Sequence, residues 1–93
     1  MVTNNIMMKL KDKKDAEKVK AMLEGMKNQI DALLEAKVYL NDNPREANYD
    51  LLYVSRFENK DNQQVYVKHP VHVAVSKELG EFVEGMVMVG YEE

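Results

Sequence analysis

With 93 residues the chain is expected to form one domain, spanning 1–93, whose core hides only about 60–65% of the surface the unfolded chain exposes. Its 13 basic and 16 acidic side chains leave a net charge of −3 with no basic stripe, so nucleic acid and anionic membrane are poor partners. The absence of cysteine excludes disulfides and thiolate sites, and no run of about 18 apolar residues or signal-peptide-like start occurs, so a soluble, cytoplasmic protein is expected.

Val2 to Leu10 alternates, with Val2, Ile6, Met8 and Leu10 on one face and Thr3, Asn5, Met7 and Lys9 on the other, which predicts a strand. Asn4 interrupts the apolar face, and an amide there must find hydrogen-bond partners or line a polar pocket. A helix is expected from Asp12 or Lys13, carrying Ala16, Val19, Leu23, Met26 and Ile30 along one stripe with Met22 beside it. The lysines at 9, 11, 13 and 14 are interleaved with Asp12 and Asp15 and read as a solvated turn.

A second strand is expected from about Ala36 to Leu40, followed by turn chemistry in Asn41-Asp42-Asn43-Pro44. Tyr49 to Glu58 is apolar on both faces and predicts a central strand. Asn59 or Asp61 can cap a short helical piece containing Val65 and Tyr66, which stops before Pro70. Pro70 suits the first position of a helix running from about Val71 to Glu84, and Met86 to Val89 forms another two-faced apolar strand between Gly85 and Gly90.

The order β-α-β-β-α-β predicts a ferredoxin-like α+β sandwich with a four-stranded antiparallel sheet. Two helices of about 10 Å width cover only one face of four strands spaced about 4.8 Å apart. Leu52, Val54, Val87 and Val89 nevertheless make the strands apolar on both sides, so the bare face is expected to meet a second copy of the chain.

Both histidines lie in one stretch, Tyr66-Val-Lys-His69-Pro-Val-His72-Val. On the expected helix His72, Val75, Leu79 and Phe82 share the apolar face, which points the imidazole inward, while His69 stands at the helix entrance and is expected to be more exposed. A histidine on such a face is more often a packed core residue than a reactive one. The two histidines straddle a helix start with no carboxylate at a matching spacing, so neither a metal nor another cofactor is expected. Met8, Met22, Met26 and Met86 or Met88 would converge between the first helix and the sheet, as core filler or as an adaptable apolar lining for a ligand.

The first strand ending Lys9-Leu10-Lys11, the strand Tyr49-Asp50-Leu51-Leu52-Tyr53-Val54-Ser55-Arg56-Phe57-Glu58, the Tyr66-x-x-His69-Pro70-x-His72 segment and the closing strand to Tyr91 resemble the stress-responsive A/B barrel domain family. The resemblance implies subunits that pair into a dimeric α+β barrel. In one member, a plant polyketide cyclase, a pocket between helices and sheet is catalytic, and its tyrosine and histidine correspond to Tyr66 and His72, with His69 at the matching histidine of the motif. A further pocket histidine of that enzyme falls on Asn4, an amide that cannot take a proton at neutral pH. His72 would then be a general base and Tyr66 a protonated phenol that hydrogen-bonds a carbonyl or enolate oxygen.

The expected site is therefore His72 and Tyr66 for chemistry, with Asn4, His69, Met8, Met22, Val75 and Leu79 around a small apolar or aromatic ligand. Two other functions compete: a structural or stress-related dimer without ligand, and a cofactor-free oxygenase of the kind found on related barrels. A cavity of about 300 Å³ or more bordered by Tyr66 and His72 would favour the ligand-binding reading over the structural one.

Overall fold

The computed structural model describes residues 1–43 and 45–93. Strands β1 (Val2–Leu10), β2 (Glu35–Leu40), β3 (Leu51–Phe57) and β4 (Val83–Glu92) form one antiparallel sheet in the order β2-β3-β1-β4. Helices α1 (Ala16–Gly25), α2 (Lys60–Lys68) and α3 (Pro70–Leu79) complete a ferredoxin-like α+β fold. Pairing of Asn4 with Ser55 and Gly90, and of Ile6 with Tyr53 and Met88, sets the even positions of β1 in one row with the odd positions of β3 and the even positions of β4. In that row Val2, Met8, Leu10, Leu51, Tyr53 and Phe57 are buried under the helices, as the alternation of β1 requires.

The helix boundaries differ from those expected. Asp12 accepts a hydrogen bond from the Lys14 amide and caps a short 3-10 turn, Lys13–Asp15, before α1 begins. Helix α1 ends at Gly25 rather than running on to Ile30, and a 3-10 turn at Met26–Asn28 still delivers Met26 and Ile30 to the core. Helix α3 stops at Leu79, not near Glu84. Gly80 is its C-cap, and Val83 is already paired with Leu10 in the sheet, so the extended edge strand takes residues that the apolar spacing had given to the helix. Phe82 consequently leaves the His72 stripe, and its ring lies under the Lys18 ammonium at 4.7 Å.

Strand β3 is central, but β4 is an edge strand whose apolar residues remain open on both sides, Met86 and Met88 toward the helices and Val87 and Val89 away from them. The expected cluster of methionines forms only in part: Met8 and Met26 are buried in the core and Met22 packs half-buried against it, while Met86 and Met88 are exposed. Helix α1 packs over β2, at the sheet edge opposite β4, and cannot reach Met86 or Met88. The Glu24 carboxylate accepts the outward Val38 amide at 3.0 Å, which satisfies part of the β2 edge.

The lysines at the β1 end hold structure together rather than standing free. Lys9 reaches the carbonyls of Glu46 and Asn48, Lys11 that of Gly80, and Lys13 the Asp50 carboxylate at 2.6 Å. The Asn41 side chain accepts from the Asn43 amide and opens the expected turn, of which Pro44 lies outside the described residues. No helix among the described residues is long and apolar enough to cross a membrane.

Asp50 also accepts the Leu10 amide at 2.7 Å, tying β1 to the start of β3. Burial alone would raise its carboxyl, but the Lys13 and Leu10 hydrogen bonds and the charges of Lys13 and Lys9 outweigh burial and hold it below the usual carboxylate range. A depressed folded-state value stabilises the fold above the unfolded-state value of about 3.9 and is lost as pH falls through the lower folded value. Asp50→Asn should therefore cost about 1–3 kcal/mol in urea unfolding at pH 7, and the gap to the parent protein should close below about pH 4.

Candidate functional site

Helix α2 starts at the Asn59 cap, whose side chain accepts from the Asn62 amide at 2.9 Å, and carries Tyr66 inward on its last full turn. At His69 the backbone becomes extended, as a residue before proline prefers, and Pro70 opens α3. This break folds α3 back on α2, so the His72 ring lies against the Tyr66 ring with centroids 4.3 Å apart at an interplanar angle of 43°. Phe57 packs on the other ring contact of Tyr66 at 4.9 Å.

His72 is half-buried and both ring nitrogens are engaged. Nδ1 lies 2.9 Å from the Val67 carbonyl, which can only accept, so Nδ1 carries the hydrogen and the Nε2 lone pair accepts from the Ser76 hydroxyl at 3.2 Å. The Tyr66 hydroxyl sits 3.1 Å from that of Tyr53 in the core. Burial raises both phenols, Tyr53 further because Tyr66 lies beside it, so both stay protonated and one O–H is left to donate. The two rings thus touch, while their polar atoms serve different partners.

Asn4 is only 8% exposed and lies in the wall of a cavity of about 370 Å³ together with Lys60, Gln63 and Gly90. Gln63 is one turn before Tyr66 on α2, so this cavity opens beside the aromatic pair, but neither Tyr66 nor His72 lines it. Met8 and Leu79 belong to the closed core, and Val75 and Met22 pack half-buried against it. His69 is half-buried, less open than its place at the helix entrance implies, because its Nδ1 accepts the Val71 amide at 3.1 Å and caps α3. His69→Ala should lower the melting temperature through a cap loss of about 0.5–2 kcal/mol, and His69→Asn should restore most of it.

A larger open cavity, about 610 Å³, lies on the other face of the sheet, between Met7, Tyr39 and Leu52 and the loop at Asn48 and Tyr49. No group of three or more His, Cys, Asp or Glu among the described residues is placed to hold a metal ion. Sequence reasoning missed Tyr53, Ser76, Lys60 and Gly90. Ser76 was within reach, four residues after His72 on one helix face, and Tyr53 shares its strand parity with Leu51. The opposition of Gly90 and Asn4 depends on strand register, which spacing alone does not give.

The whole described architecture has solved counterparts. A dimeric protein of unknown function and ferredoxin-like fold from Bacteroides fragilis is 30% identical, with a TM-score of 0.84 over 99% of this chain and 95% of that one. A hydroxynitrile lyase from Passiflora edulis is 18% identical over 97% of this chain and 90% of its own, with a TM-score of 0.83. HapK from Hahella chejuensis is 11% identical over 100% and 92%, with a TM-score of 0.84. At those two identities the likeness shows the fold alone. No curated protein matches the chain. The model of the stress responsive A/B barrel domain matches residues 2–93, and the chain belongs to that family.

Proposed function

We propose that this protein is a homodimer that binds a small molecule on the helix side of its sheet and can perform acid–base chemistry on a carbonyl-bearing or aromatic ligand. The observation that carries the chemical part is the fixed tautomer of His72. With Nδ1–H held by the Val67 carbonyl, the basic lone pair is on Nε2, beside the Ser76 hydroxyl, and the ring packs on that of Tyr66. An imidazole so oriented takes a proton, and a phenol that stays neutral stabilises the oxygen on which charge develops. That arrangement supports a polyketide-cyclase-like division of labour, with the base on His72 and the donor on Tyr66. A reducing, cytoplasmic setting fits the same reading.

The dimer rests on the outer sheet face, where Met7, Tyr39, Val87, Val89 and Tyr91 are all exposed and close to one another in register. A row of apolar side chains of this extent on a protein this small is costly in water and is relieved by a two-fold copy of itself. Structural relatives are described as dimeric.

A second reading, a structural dimer without ligand, is favoured by one observation: the Tyr66 hydroxyl is satisfied inside the core by Tyr53, and Tyr66 and His72 border neither cavity. Thermal-shift screening of carbonyl compounds against the parent, Tyr66→Phe and His72→Ala separates the two. Ligand binding predicts hits whose affinity falls about tenfold or more in at least one variant, a loss of roughly 1.4 kcal/mol. Hits of unchanged affinity in both variants, or none at all, would favour the structural dimer.

A further inference from the structure

Asn4 is only 8% exposed, and it lies in the wall of the cavity, where its carboxamide can meet whatever enters. A ligand that displaces water from this amide must offer it a hydrogen bond in exchange, since leaving it unpaired would cost about 1–3 kcal/mol. The position opposite is shaped for the same side chain: a Cβ at Gly90 would stand 2.5 Å from Asn4 Oδ1, so any other residue there would displace the amide. At the mouth the Lys60 ammonium and Glu92 carboxylate are paired at 3.0 Å, both largely exposed. Exposed pairs of this kind contribute at most about 1 kcal/mol and exchange readily for another anion. The wall also carries Tyr91 and the Gln63 carboxamide, which like Asn4 both donates and accepts.

From this geometry we infer that the cavity binds a small carboxylic acid that also carries an amide or hydroxyl. Its carboxylate replaces Glu92 on Lys60, and its second polar group pairs with Asn4 and Gln63. The assignment rests on the small-molecule reading above and names the ligand class for it. The volume, about 370 Å³, is at the small end of ligand pockets and suits a molecule of this kind rather than a cofactor.

Titration calorimetry with hippurate and with its neutral amide, hippuramide, tests the inference on the intact protein. Hippurate should bind at least about tenfold more tightly than hippuramide, and rising salt should weaken it. Lys60→Gln should abolish that preference, Glu92→Gln should tighten hippurate by removing its competitor, and Gly90→Ala should weaken both probes. Lys60 and Glu92 are surface residues, so these two variants should melt close to the parent and report binding without a folding artefact. Equal binding of the two probes, lost together in Asn4→Ala, would overturn the carboxylate assignment and leave the small-molecule reading standing. No binding of hippurate, or hippurate binding unchanged in Lys60→Gln, would overturn the inference, while the thermal-shift screen judges the broader reading separately.

Discussion

Val89→Asp should convert the dimer to monomers. Val89 is 63% exposed on the edge strand and pairs with Asn5 on the outer face, one step along from the pair Val87 and Met7. A carboxylate placed there must be desolvated against Leu52, Val54 and their copies, at several kcal/mol per ion, and a two-fold axis brings in a second one. Each 1.4 kcal/mol is a factor of ten, so dissociation should strengthen by about a hundredfold or more. Sedimentation at a concentration where the parent is dimeric should show the variant at half the mass. The parent's melting temperature should climb with protein concentration, and that of the variant should not. A variant that stays dimeric would place the interface elsewhere.

Phe57→Ala should be the most damaging single change inside the subunit. Phe57 is wholly buried, pairs with Val2, and packs its ring on Tyr66. Truncation removes a large apolar side chain and leaves a hole that β1, β3 and α2 cannot all close, which costs about 3–5 kcal/mol. That is a large part of what a domain of this size has, at roughly 0.05–0.15 kcal/mol per residue. Urea unfolding should show a sharp fall in midpoint with a similar slope. The hole also lies directly behind Tyr66, so the histidine packed on that ring should lose its fixed position. A loss below 1 kcal/mol would mean the core repacks freely, and the aromatic stack would then position nothing.

The order of the elements, the sheet and the helix-facing row of β1 were legible because alternation at two and stripes near 3.6 residues are strong local signals in Val2–Leu10 and Ala16–Leu23. The ends of α1 and α3 were not, since α1 tightens into a 3-10 turn after Gly25 and α3 ends at the Gly80 cap while Ile30 and Phe82 keep the apolar spacing going. Strand β4 shows a deeper ambiguity. A run apolar on both sides reads the same whether its neighbours come from its own chain or from a second one, and here its own chain leaves it at an edge. At the site, the Tyr66-His72 proximity was legible from the proline-marked break, and the tautomer of His72 was not. It depends on a backbone carbonyl, Val67, whose direction no side-chain pattern encodes.

The most direct test is an amide and side-chain NMR titration of the protein with a fragment set of carbonyl, aromatic and carboxylic compounds, with every binder mapped onto the sheet. The account predicts that binders shift Asn4 and Gly90 together with Tyr66 and His72, on the helix side, while Val87 and Val89 stay in place. Binders that instead gather at Tyr39 and Tyr49 on the outer face, or a fragment set that moves none of these signals, would contradict it.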